Sequence, residues 1–222
     1  MQSSTQNIDE ILPVVGLART VLFPGMRCTL LLANLKSFGA VREARRSTGK
    51  PLLAICCSDE QPGKPSAAPL FSTGVLAEVL HLQPHNTGLW LTELWTQGRV
   101  TVGQFLREDP FRLARVEGLS DDLDRPEDLE NLVLEAQLRL IELKRRHPGC
   151  EIATTALSGL AKADSIETRV ASLMACSAVL SLREQQSLLE TRRPTQRLEK
   201  ILAALDHRMN YHFSAAKPFA KT

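Results

Sequence analysis

Apolar positions in the first half of the chain recur with the short period of β-strands. From Leu12 to Glu117, short apolar stretches are broken by Gly and Pro. Leu12 to Met26, LPVVGLARTVLFPGM, reads as a buried strand, a short turn and an apolar corner on Phe23-Pro24-Gly25-Met26. Met26 to Leu30 alternates, and Pro51 to Cys57 (PLLAICC) is a continuous apolar run that predicts a strand buried on both faces. Gly74 to Gln83 alternates again, with Val75, Ala77 and Val79 on one face. Leu89–Thr96 and Arg99–Leu106 read as a hairpin around Gln97-Gly98, and Phe111–Glu117 as a last strand. One helix, Leu35–Arg46, interrupts the strands. Between Ser58 and Pro69 the segment GKPSAAP predicts an exposed, mobile loop. Several strands so close together imply a barrel-like sheet that limits free edges.

The period then lengthens. Leu119–Arg125 (LSDDLDR) is acidic and poor in apolar residues, which marks a boundary. Pro126 followed by Glu127 and Asp128 suits the first turn of a helix. Leu129, Leu132, Val133, Ala136, Leu140 and Leu143 then form one helical stripe, ended by His147-Pro148-Gly149. A short helix is expected over Glu151–Lys162. Asp164-x-x-Glu167 reads as a capping box for a helix that turns Ile166, Val170, Leu173 and Met174 inward. Ser181-x-x-Glu184 repeats the device before Leu188-Leu189. A last helix follows Pro194, with Leu198, Ile201, Leu202, Leu205 and Met209 in register. The expected organisation is a β-rich part over residues 8–119, a linker at 120–125, a helical bundle over 126–213 and a flexible tail at 214–222.

Composition removes several classes of function. The net charge of the 222 residues is +2, so no global field drives the chain onto nucleic acid or an anionic membrane. No run of 18 apolar residues is present, which excludes a transmembrane helix by hydropathy. The opening MQSSTQNIDE is polar and lacks the apolar centre of a signal peptide, so a cytoplasmic location is expected. Cys28, Cys56, Cys57, Cys150 and Cys176 are odd in number and scattered, unlike a disulfide framework, and are expected to act as small reduced hydrophobes.

No catalytic or cofactor motif emerges. Gly49-Lys50 is the nearest approach to a phosphate-binding loop, but Ala44 stands at the first Gly position and Pro51 at the hydroxyl position. Ser158 and Lys162 have the spacing of a dyad on a helix, without a Gly-rich segment to hold an oxyanion. His81 and His85 have ligand-like spacing, but Pro84 lies between them and no Cys or carboxylate nearby completes a set. His207 and His212, five apart, read as surface residues. The basic clusters Arg42/Arg45/Arg46, Lys144/Arg145/Arg146 and Arg192/Arg193 are far apart, and two fall in the last turn of a predicted helix, where cations favour the dipole. Aromatic residues make up only 5% of the chain, too few for a stacking surface, so nucleic acid is not the expected partner. No catalytic residue, metal or cofactor is expected. Trp90 and Trp95 differ by five positions and so point to opposite faces of a regular strand, one expected in the core and the other free to act as a binding anchor.

These segments together resemble a known family. Leu12-Pro13-Val14 with Leu17, the corner Phe23-Pro24-x-Met26, Phe71-Ser72-Thr73-Gly74-Val75, Gly88 and Arg99 are similar to the amino-terminal domain of Lon-type ATP-dependent proteases. So are Arg169-Val170-Ala171, Gln185–Glu190 and Arg197-Leu198-Glu199 with Leu202. The order holds from Leu12 to Met209, although Gly16 stands where the family commonly has Pro, and Thr96 where it commonly has Gly. The resemblance implies an α+β fold, a PUA-like β pseudo-barrel followed by a C-terminal α-helical bundle. It also implies a non-catalytic domain that binds unfolded, damaged or specific protein substrates for ATP-dependent proteolysis and supports assembly with other Lon subunits. A free-standing adaptor and a PUA-like nucleic-acid-binding module are the alternatives. An apolar groove is what such a receptor needs, and the expected surface is Leu22, Phe23, Pro24 and Met26, with Trp90 or Trp95 next.

Overall fold

A computed structural model of the chain describes residues 9–46, 51–57 and 69–211. The expectations for the 58–68 loop, Gly49-Lys50 and His212 fall outside those residues. Among the described residues, six strands and six α-helices follow one another as β1 (Asp9–Leu17), β2 (Arg27–Leu32), α1 (Leu35–Arg46), β3 (Leu52–Cys56), β4 (Thr73–Pro84), β5 (Trp90–Arg107), β6 (Leu113–Gly118), α2 (Pro126–Arg146), α3 (Glu151–Leu160), α4 (Ile166–Leu173), α5 (Leu182–Glu190) and α6 (Pro194–Tyr211). A 3₁₀ segment, Met174–Val179, separates α4 from α5. The chain divides into two compact units, one of Met1–Ser120 with Leu182–Arg192, the other of Asp121–Ser181 with Arg193–Thr222.

The first unit is a mixed sheet in the order β2-β5-β4-β3-β1-β6, and β6 returns to pair with β5. That last pairing closes β5, β4, β3, β1 and β6 into a ring and leaves β2 attached to its outside. Among the described strands, only β1 and β3 run parallel. The ring interior is filled by Leu12 and Val14 of β1, Leu53 and Ile55 of β3, Leu76, Val100, Ala114 and Val116, all at most 5% exposed. The continuous apolar run in β3 follows from burial on both faces. Across β3, the backbone of β4 comes so close that a Cβ at Gly74 would stand 2.7 Å from the Ala54 carbonyl oxygen. Gly74 is therefore required by contact and not by a turn. Helix α1 starts on Asn34, whose Oδ1 accepts the Ser37 amide at 2.7 Å, and buries the small face Ala40, Val41 and Ala44.

Strand β5 departs from its expected form. Gln97-Gly98 is not a hairpin turn but a bulge within one 18-residue strand, where Val75 pairs with Arg99 and Ala77 with Thr96. The hairpin between β4 and β5 lies instead at His85–Leu89, with Gly88 at φ +79°. The bulge separates the segment of β5 that pairs with β2 from the segment that pairs with β6.

In the second unit, α2 and α6 are tied at their starts, where the Thr195 amide donates to Asp124 Oδ2 at 2.8 Å and Arg197 pairs with Asp121. Val133, Ala136, Leu140 and Leu143 of α2 are buried, as are Leu198, Ile201 and Leu205 of α6. Helix α4 is capped one residue later than expected: Ser165 and Thr168 form the capping box, not Asp164 and Glu167. The threonine hydroxyl at the third position reaches back to the cap amide in the role read for the glutamate. Helix α5 also departs from the single bundle expected over 126–213, because it packs with the sheet. Gln186, 1% exposed, donates to the Thr73 carbonyl at 3.0 Å. The buried Arg99 guanidinium donates to the carbonyls of Leu189 and Thr191 at 2.6 and 2.8 Å, capping the end of α5 with a cation.

Candidate functional site

The apolar corner turns inward. Val21, Leu22 and Phe23 are buried, Phe23 at 2% exposed, while Pro24 and Met26 are half-buried. Gly25 takes φ +80°, the left-handed conformation that lets the chain reverse over a short loop. The fully buried Thr96 of β5 holds both sides of the reversal. Its hydroxyl donates to the Phe23 carbonyl at 2.6 Å and accepts the Met26 amide at 2.8 Å. Its main chain accepts from the Gly25 amide and donates to the Met26 carbonyl, each at 2.9 Å. Met26 Sδ accepts the Phe23 amide at 3.3 Å. This corrects the surface expected from sequence: Leu22 and Phe23 close the end of the fold, and their side chains offer nothing to a partner.

The two tryptophans lie on opposite faces of β5. Trp90 is half-buried against Phe38 of α1, ring centroids 4.8 Å apart. Trp95 points the other way and is 39% exposed. It belongs to an outer face on which cross-strand partners line up in rows. Arg27, Trp95 and Glu78 form one row, Thr29, Glu93 and His81 the next, and Leu31, Leu91 and Gln83 the third. Leu31 is 46% exposed. Between Trp95 and the Leu31/Leu91 pair sits Glu93, 3.4 Å from Arg27 and 3.9 Å from His81. The face thus carries an exposed ring, Trp95, at one end and the apolar pair Leu31/Leu91 at the other, with Glu93 and its partners between them.

Other candidates are dispersed. His85 Nδ1 lies 2.8 Å from Thr87 Oγ1 in the β4–β5 turn, away from the His81–Glu93 pair. Among the described residues, no three His, Cys, Asp or Glu side chains come together in a way that would hold a metal. Ser158 is exposed on α3, whereas Lys162 lies beyond its end, so helical spacing does not join them. Burial pushes the Cys56 thiol up to about 11 and the Cys176 thiol up to about 12, which removes the thiolate needed for reactivity. The basic residues have local partners: Arg45 donates to the Leu82 carbonyl at 3.2 Å, Lys144 reaches Thr154 Oγ1 at 2.6 Å, and Arg145 and Arg146 hold the Glu142 carboxyl down to about 2. Sequence reasoning missed Leu31 and Leu91. The alternation of RCTLLL places Arg27, Thr29 and Leu31 on one face, but it does not say which face is covered.

Comparison with known proteins agrees with this architecture. The substrate-binding domain of ATP-dependent protease La (LON) matches residues 11–207. Lon protease of Dictyoglomus thermophilum is 26% identical over 206 residues, covering 90% of this chain and 24% of that protein. Lon protease 1 of Sorangium cellulosum is 35% identical over 139 residues, 60% of this chain and 17% of that one. The chain therefore spans at most about a quarter of the length of these relatives. The N-terminal domain of Mycobacterium avium complex Lon protease superposes with a TM-score of 0.69 at 20% identity, over 89% of this chain and 98% of its own. A Lon N-terminal domain protein from Xanthomonas campestris gives 0.54 at 24%, over 87% and 98%. At these identities the two structures establish the fold. The matched residues 11–207 take in part or all of every strand of the ring and every helix that follows it, and the chain belongs to the family of ATP-dependent protease La (LON) substrate-binding domains.

Proposed function

We propose that this chain is a non-catalytic receptor for unfolded or damaged polypeptides, serving Lon-type ATP-dependent proteolysis in the cytoplasm and supporting assembly with other Lon subunits. The observation that carries the reading is the outer face of β2, β5 and β4, where Trp95 and Leu31 stay 39% and 46% exposed beside Leu91. Unfolded chains differ from folded ones in displaying apolar side chains, so a receptor for them needs apolar surface left open to solvent. A tryptophan supplies the largest contact area of any side chain at little cost in rotamer freedom. The polar centre of the face, Arg27 and Glu93 with His81 beside them, separates Trp95 from the Leu31/Leu91 pair.

The test is a fluorescence titration with a reduced, alkylated model protein that cannot fold. The double variant Trp95→Ala with Leu31→Ala is expected to bind about ten-fold or more weakly, since burial of each side chain contributes on the order of 1–2 kcal/mol. Affinity equal to that of the wild-type chain would remove this face as the receptor surface.

A further inference from the structure

We propose that the outer edge of β2 is a docking site for one extended polypeptide segment, which joins the sheet as an additional strand. The inference rests on the receptor reading above and states how the substrate is held. The Thr96 amide donates to the Met26 carbonyl, and this fixes the parity of the β2–β5 pair. Counting from Met26 in steps of two, Cys28, Leu30 and Leu32 direct their backbone groups toward β5, opposite Leu94, Thr92 and Trp90. The amides and carbonyls of Arg27, Thr29 and Leu31 therefore point away from the sheet. Among the described residues, β2 pairs on one side only. The outer end of β4 differs, because there the Leu82 carbonyl is taken by Arg45 of α1.

Sheet edges in soluble proteins are ordinarily blunted by Lys, Pro, bulges or short length. Strand β2, RCTLLL, has six residues, no Lys and no Pro, and its register with β5 runs without a bulge from Arg27 to Leu32. An alternating row of donors and acceptors in the plane of a sheet is matched by one chemistry, an extended peptide backbone. Such pairing does not depend on sequence, which suits a receptor for many unfolded chains. Side-chain preference comes from the face beside the edge. Leu31, with Leu91 behind it, favours an apolar residue at one end of the incoming strand. At the other end Arg27, 3.4 Å from Glu93 but with its side chain 65% exposed, leaves room for an acidic residue of the incoming strand.

The experiment uses the full chain and a short fluorescent peptide of alternating Leu and Thr ending in Asp, beside the same peptide N-methylated at every residue. N-methylation at every residue removes the backbone donors from both edges and keeps the side chains. The methylated peptide is expected to bind at least about ten-fold more weakly, the loss of two or three hydrogen bonds. Thr29→Pro is expected to weaken the parent peptide similarly, because it removes an outward donor that β5 does not use. Thr29→Ala, which keeps that donor, is expected to bind as wild type, and melting curves verify that both variants fold. Equal affinity for the two peptides overturns edge pairing and leaves the receptor reading standing. Failure to bind both peptides and the unfolded model protein overturns both. A dimer in sedimentation that Thr29→Pro abolishes, without peptide binding, assigns the edge to a second copy and overturns the proposal.

Discussion

Two apolar regions meet on β5, and they do opposite things. The corner at Val21–Met26 looks on paper like a binding surface, yet Phe23 is 2% exposed and the backbone of Phe23, Gly25 and Met26 is tied to Thr96. Beside it, Trp95 and Leu31 are 39% and 46% exposed. Trp95 and Thr96 are consecutive residues, so a single step along a strand separates a structural clamp from an open face. The pleat explains the contrast: neighbouring side chains on a strand point to opposite sides of the sheet. The lesson is that apolar character marks both a core and a receptor, and that the face of the sheet onto which a side chain points distinguishes them.

The comparison breaks first at Phe23. If the corner is structural, Phe23→Ala leaves a cavity and should cost about 3–5 kcal/mol of stability, with no effect on unfolded-protein binding per folded molecule. Chemical denaturation followed by far-UV circular dichroism measures the first, and titration of the folded fraction the second. Thr96 comes next. Thr96→Val keeps the shape but deletes the hydroxyl that serves the Phe23 carbonyl and the Met26 amide. The half-buried Met26 amide and the Phe23 carbonyl, left without this hydroxyl, should together cost about 1–3 kcal/mol, and Thr96→Ser should recover most of it. Recovery by serine separates the hydrogen bonds from the packing of the methyl group.

Much of the architecture was legible before the structure, for reasons that also explain the gaps. Helix α1 begins and ends where the sequence predicts, Leu35–Arg46, because local signals define it. Asn34 caps it, and Ala40, Val41 and Ala44 form a small-residue stripe. The buried β3 and the change of period near Leu119–Arg125 were legible in the same local way. Gln97-Gly98 misleads because its composition suits a turn. The distinction lies in backbone conformation: Gly88 has positive φ, and among the described glycines only Gly25 shares it. Helix α5 was read with its neighbours in sequence, since nothing local tells that Gln186 reaches a carbonyl 113 residues away. Thr96 stood out only as a departure from the family's Gly, and its clamping role was hidden for the same reason, its partners at the corner lying 70 and 73 residues back. The candidate face was half legible: Trp95 as an anchor by its type, but not Leu31 and Leu91, whose exposure depends on which side of the sheet α1 leaves uncovered.

The smallest expected change in stability is the one that decides most. Trp95 sits across from Arg27 and Glu78, and its loss removes cross-strand contacts that contribute roughly 0.2–1 kcal/mol. Trp95→Ala should therefore unfold within about 1 kcal/mol of the wild-type chain. Trp90→Ala, which strips a half-buried ring from Phe38, should cost clearly more. Two tryptophans five residues apart on one strand thus act as internal controls for each other. If Trp95→Ala destabilises as much as Trp90→Ala, the outer face is part of the fold, and the contrast with the corner disappears. If Trp95→Ala melts with the wild type and binds unfolded protein more weakly, the exposed ring is retained for contact with a partner, because packing gives no reason to keep it.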